Sequence, residues 1–106
     1  MADRKFFLAG KEAINHNNLF HFRQLVTEYL GWVKDREYAS HAKLFRDLFI
    51  HMCLRGRLQM AQEFIIFYQK MSPIDQIALA PTFSYCRIIA HKRKDYQMIE
   101  WLDTLA

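Results

Sequence analysis

Five histidines, two cysteines and eleven acidic residues are the side chains of this 106-residue chain that could bind a metal or move a proton. Their spacing argues against both. His51 and Cys53 stand two apart, about 200° round a helix, so they cannot share an ion. His16 and His21 straddle a turn, whereas a zinc site needs three or four such ligands at short paired spacings. No Gly-rich phosphate loop, HExxH, GxSxG or convergent carboxylate pair occurs. No catalytic residue, metal, cofactor or small-molecule substrate is expected, and the chain reads as a non-enzyme. The remaining chemistry is cationic. Arg46, Arg55, Arg57, Arg87, Lys92, Arg93 and Lys94 fall on predicted helices and the turns after them. Such a ridge could meet an RNA phosphate backbone with salt-dependent affinity.

The elements that position these residues follow from composition and periodicity. Apolar residues make up 52% and aromatics 15%, which excludes a disordered chain and supports one small domain over 1–106. Three Gly and two Pro leave little punctuation, which favours helices. The formal charge of +4 and pI near 9.2 are compatible with a nucleic-acid partner without requiring one. Cys53 and Cys86, each inside an apolar helical pattern, read as buried reduced thiols of an intracellular compartment. No apolar run reaches the roughly 18–20 residues of a membrane span, and the N-terminal stretch lacks a secretory pattern.

Helical periodicity predicts a first helix over 4–16, a turn at Asn17-Asn18 and a second helix over 19–34. Phe22, Leu25, Val26, Tyr29, Leu30 and Val33 share one face of the second helix. After a polar connection at 35–37, Ser40 stands as an N-cap for a third helix. The stretch 44–71 reads as a helix, a turn at Arg55-Gly56-Arg57 and a second helix apolar on two faces: Leu58, Ala61, Ile65 and Tyr68 on one, Met60, Phe64, Phe67 and Met71 on the other. Two apolar faces imply a helix sandwiched between neighbours. Ser72-Pro73 begins a short helical insert over 73–79, and Pro81 opens a fifth helix to Arg93. A sixth follows over 95–105, its inward face made of Met98, Trp101, Leu102 and Leu105.

These segments repeat. Phe7, Phe45 and Phe83 are spaced by 38 residues, as are Asn18, Gly56 and Lys94. Phe20, Leu58 and Tyr96 fall in step with them, as do Phe22, Met60 and Met98. A fixed period of this size marks stacked supersecondary units. The expected fold is all-α: a short α-solenoid of three antiparallel helical hairpins, about six helices with a 38-residue period. Its units cover about 4–37, 40–71 and 81–106.

The central unit, with Phe45, Gly56, Arg57, Leu58, Ala61, Phe64, Met71 and Pro73, resembles a pentatricopeptide repeat. The third resembles it through Pro81, Phe83, Asp95 and Ile99, with Lys94 where the turn glycine stands in that family. A tetratricopeptide unit is the second choice. It wants small residues where this chain has Phe49 and Tyr68, whose bulk would force the helix backbones apart. The pentatricopeptide resemblance implies single-stranded RNA read one base per repeat. The positions that would read bases hold Leu8, Arg46 and Ser84, with His41 and Leu79 at the repeat ends, so a base code is not expected. The resemblance also implies an organelle such as the mitochondrion.

Apolar surface at the two ends of the stack completes the expectation. Phe6 and Leu8 near the start, with Trp101, Leu102 and Leu105 near the end, outnumber what three hairpins hide. They point to a protein partner, self-association or a longer repeat array. The functional expectation is a protein-docking or scaffold subunit, in an organellar ribonucleoprotein assembly if the resemblance extends so far. The alternatives are a cytosolic tetratricopeptide-like adaptor or chaperone, and single-stranded RNA binding through the basic ridge.

Overall fold

The computed structural model describes residues 2–33, 42–69 and 80–105. The expected connection at 35–37, the Ser40 cap, the insert over 73–79 and the helix ends at Lys34 and Met71 lie outside them. The described residues form six helices and no strand: α1 (Ala2–Asn15), α2 (Leu19–Val33), α3 (Ala42–Leu54), α4 (Leu58–Gln69), α5 (Ala80–Arg93) and α6 (Tyr96–Asp103). α1 packs on α2, α3 on α4 and α5 on α6, while α3 also packs between α1 and α5. The Cα atoms extend 39 × 30 × 18 Å. The short dimension is about two helix diameters, as expected of two helical layers.

Each pair is joined by the same turn, built on one left-handed residue: Asn17 (φ 53°), Gly56 (φ 69°) or Lys94 (φ 57°). The Asn17, Gly56 and Lys94 N–H groups donate to the carbonyls of Ile14, Cys53 and His91. The following N–H groups, of Asn18, Arg57 and Asp95, donate to Ala13, Met52 and Ala90. This pair of bonds is the Schellman closure of a helix C-terminus. The residue that completes it also starts the next helix, since Asn18, Arg57 and Asp95 carbonyls accept from Phe22, Ala61 and Ile99. Helix, stop and restart thus take two or three residues.

The turns correct the register. The left-handed residue of the first turn is Asn17, not Asn18, so the units are offset by 39 residues and then 38. Asn18 instead caps α2, its Oδ1 accepting the His21 N–H at 3.1 Å. Asp95 caps α6 in the same way, accepting from the Met98 N–H at 3.3 Å. Phe6 rather than Phe7 is therefore the counterpart of Phe45, and it is Phe6 that is buried.

The core is a run of aromatic contacts crossing all three pairs. Phe6 stacks on Tyr29 at 4.2 Å, and Tyr29 meets Phe45 edge-on at 6.1 Å. Phe45 stacks on Phe64 at 4.9 Å, and Phe22 approaches Phe64 from the side at 5.4 Å. Phe49 reaches Phe83 at 5.6 Å and Trp101 at 6.0 Å. In the corrected register, Ala61 and Ile65 of α4 match Phe22 and Val26 of the first pair. Met60 and Phe64 match Met98 and Leu102 of the third. All eight are buried, so α4 combines the core faces of both its neighbours.

Gly56 is favoured by its positive φ; a Cβ there would lie 2.7 Å from Arg93 Nη2, the far end of a side chain that can shift aside. Gly56→Ala is expected to cost roughly 1 kcal/mol, the left-handed strain. Lys94→Gly should stabilise the fold by up to about 1 kcal/mol, because it relieves the same strain. Urea unfolding of the two variants checks both; equal midpoints would refute this account of the turns.

Candidate docking surface

The side of the domain formed by α1, α3 and α5 carries most of the exposed apolar side chains. Leu8, Leu54, Tyr85 and Ile88 are four of the seven large hydrophobic residues exposed among the described ones. Phe20, Ile66 and Tyr96, on α2, α4 and α6, are the other three. In the observed register Leu8, Asp47 and Tyr85 share one column, Lys11, Ile50 and Ile88 the next, and Asn15, Leu54 and Lys92 a third. They line successive first helices at equivalent places. Between α1 and α3 this face holds a shallow groove of about 250 Å³, walled by Phe7, Lys11, Asp47, Ile50, His51 and Leu54.

The groove wall holds Lys11 and Asp47 beside His51. Burial, then the charges of Lys11 and Arg55, hold the His51 imidazole below its ordinary pKa. Its Nε2 lies 2.7 Å from Asn15 Oδ1, a contact that joins α3 to α1. Lys11 Nζ stands over the Phe7 ring, 5.4 Å from its centroid. Arg46 Nε is 3.7 Å from Asp47 Oδ1, a loose ion pair that leaves Asp47 partly neutralised.

The predicted basic ridge is divided by the fold. Arg57 turns inward, its Nε donating to Ile14 O at 2.8 Å and Nη2 to Asn15 O at 2.9 Å. Arg93 Nη1 donates to Leu54 O at 2.7 Å. Both therefore close the C-terminal end of the first helix in the preceding pair, where carbonyls and helix dipole favour a cation. Arg87 pairs with Asp103 at 2.8 Å. Arg46 remains exposed beside Asp47, and Arg55, Lys92 and Lys94 are exposed with no ion-pair partner among the described residues. Three of the seven cations are thus structural, and four stay available to a ligand.

The expected partner-interface residues also separate. Phe6 and Leu102 are core side chains. Trp101 and Leu105 are partly buried against the core, Trp101 through its ring contact with Phe49. Only Leu8 is broadly exposed. The expectation of apolar ends is corrected accordingly. Gly10 and Phe49 pack toward the next pair, against Leu48 and Phe83, but their counterpart in the third pair is the charged Arg87. Its ion-pair partner Asp103 occupies the position of Val26 and Ile65. At the other end, Glu12, His21 and Gln24 are exposed where the second pair has His51, Met60 and Glu63.

Two contacts have no signal in the sequence. Arg23 grips Glu63 with two bonds, Nε to Oε1 at 2.6 Å and Nη2 to Oε2 at 2.8 Å, joining α2 to α4. The hydrogen bonds from Arg23 hold the Glu63 carboxyl below its usual range. Opposite charges forty residues apart leave no local pattern. Cys53 and Cys86, which read separately in the sequence, are neighbours: hydrogen bonding to Cys86 and then burial push the Cys53 thiol far up. Both thiols are free and buried. No group of three potential metal ligands occurs among the described residues, nor a helix long and apolar enough to cross a membrane.

No protein-family model matches the chain, and no curated protein or solved structure does so either.

Replacing Arg57 with Met should cost about 1–3 kcal/mol, because it removes two charge-assisted bonds to partly buried carbonyls. Arg55→Met should stay within about 0.5 kcal/mol. Thermal unfolding of both variants distinguishes the structural arginine from the exposed one. The pH dependence is equally specific. A histidine with a lowered folded pKa contributes stability above its unfolded value of about 6.5 that is lost as pH falls below it. Glu63, also lowered, contributes above about pH 4.3 and loses its contribution as pH falls through the depressed value. Stability should therefore fall in two separate steps on acidification. His51→Gln should abolish the first and Glu63→Gln the second, as read from urea midpoints across pH.

Proposed function

We propose that the six helices are a short α-solenoid of three antiparallel hairpins that serves as a non-catalytic protein-docking or scaffold module. The observation that carries this reading is the apolar face of α1, α3 and α5, where Leu8, Leu54, Tyr85 and Ile88 stay exposed. The positions that would face a further unit hold Arg87 and Asp103 at one end and Glu12, His21 and Gln24 at the other. Apolar side chains concentrated on one face of a small domain favour association with another protein. The pentatricopeptide resemblance implies an organellar ribonucleoprotein assembly as the setting. The tetratricopeptide-like adaptor is a variant of the same docking role in the cytosol.

A second reading, backbone binding of single-stranded RNA, is favoured by Arg46, Arg55, Lys92 and Lys94, which remain exposed. The two readings differ in salt dependence. Each phosphate neutralised contributes a slope of about −0.7 in log affinity against log salt for single strands. Homopolymer RNA titrated at several salt concentrations, with the solution mass of the chain measured by light scattering, decides between them. The docking reading expects little RNA binding at physiological salt. A stable monomer that binds RNA tightly, with a slope near the about −3 of four contacts, would overturn it.

A further inference from the structure

We infer that the face of α1, α3 and α5 receives an acidic amphipathic helix of a partner protein, its apolar side chains seated on Leu8, Ile50, Leu54, Tyr85 and Ile88. The inference rests on the docking reading and adds the chemistry of the partner. Packed helices lie about 8–10 Å apart, so three first helices present a strip roughly 20–25 Å across. A helix of about 16 residues spans that distance. With apolar residues on one face it would offer about four side chains to the strip, the groove-binding mode of amphipathic helices.

Charge selects the partner's polar face. Lys11, Arg46, Arg55 and Lys92 lie among or beside the apolar columns. Asp47 is the acid in the same columns, and it already faces Arg46 at 3.7 Å. His51, in the groove wall, is held below its ordinary pKa first by burial and then by the charges of Lys11 and Arg55, which lie near it. Complementary potentials steer association and reject partners of like charge. A helix with acidic flanks satisfies these cations, and a basic helix is repelled. Nucleic acid would satisfy them too, and the Tyr85 ring could stack one base, but the other four residues of the strip, Leu8, Ile50, Leu54 and Ile88, have neither a ring to stack a base nor a polar atom to read one. Their exposed area is useful only to an apolar contact.

The test uses the full chain and a fluorescein-labelled synthetic helix of about 16 residues, with Leu at i, i+4, i+7 and i+11 and Glu on the flanks. A twin carries Lys in place of Glu, and oligouridylate serves as competitor. The Glu peptide is expected to saturate the chain, about tenfold tighter than the Lys twin, and to weaken with added salt. Leu54→Glu and Ile88→Glu should each weaken it at least about fivefold with far-UV circular dichroism unchanged. Lys92→Glu, at an exposed position, provides a variant that leaves the apolar contacts in place and should weaken only the Glu peptide. Equal or tighter binding of the Lys twin, no saturation by either peptide, or displacement by oligouridylate would overturn the inference. A chain that ignores the Glu peptide and also fails to bind RNA loses the inference and keeps the docking reading; a monomer that binds RNA tightly loses both.

Discussion

A single left-handed residue between two helices, used three times, is the constraint on which the rest of this structure depends. At Asn17, Gly56 and Lys94 the chain reverses, and two backbone bonds close the outgoing helix while the next residue starts the returning one. With no slack in the connection, the two helices must pack against each other along their length. The apolar faces are then set by position within the turn, which is why equivalent residues in the three pairs meet equivalent neighbours. The turn also contributes to contacts between pairs. Arg57 and Arg93 extend from the second and third turns to carbonyls of the preceding first helix, so each closure is completed by the following unit. At Gly56 the guanidinium of Arg93 lies close to where a Cβ would be, while Asn17 and Lys94 hold the same left-handed conformation with a side chain.

Stacking on these turns distributes burial unevenly. The middle pair is covered from both sides, and α4 has four buried side chains in two columns, one shared with each neighbour. The outer pairs bury only their inward columns. Polar residues occupy the positions that would otherwise face a further unit, Arg87 and Asp103 forming an ion pair at one of them. Four of the seven exposed large hydrophobic residues among the described ones lie on the first-helix face. Their location is a consequence of the layer arrangement: the second helices cover one side of α1, α3 and α5, and among the described residues no layer covers the other.

Much of this was legible in the chain itself. The helices, the three turns and the double-faced character of α4 follow from local periodicity and from residues that tolerate left-handed geometry. The offset between the first two units was not legible, because two consecutive asparagines fit the turn equally well. Only the positions of the hydrogen bonds show that Asn17 takes the turn and Asn18 the cap. The candidate surface was less legible still. A cation on a helix has the same sequence appearance whether it faces water or a neighbouring carbonyl. Phe6 likewise could not be told from an exposed residue until the pairs were packed, since the end helix rotates its apolar face toward the centre of the stack.

The sequence by itself determined the all-α class, the number of helix pairs and the residues that turn the chain, because these are decided within a few residues along the backbone. Tertiary structure alone decided that Arg57, Arg87 and Arg93 are consumed internally, that Arg23 finds Glu63 and Cys53 finds Cys86, and that Leu8, Leu54, Tyr85 and Ile88 share the first-helix face. Those outcomes depend on contacts between residues far apart along the chain, most of them about forty positions. No local pattern records them, because burial and charge pairing are properties of the packed layers rather than of any one helix.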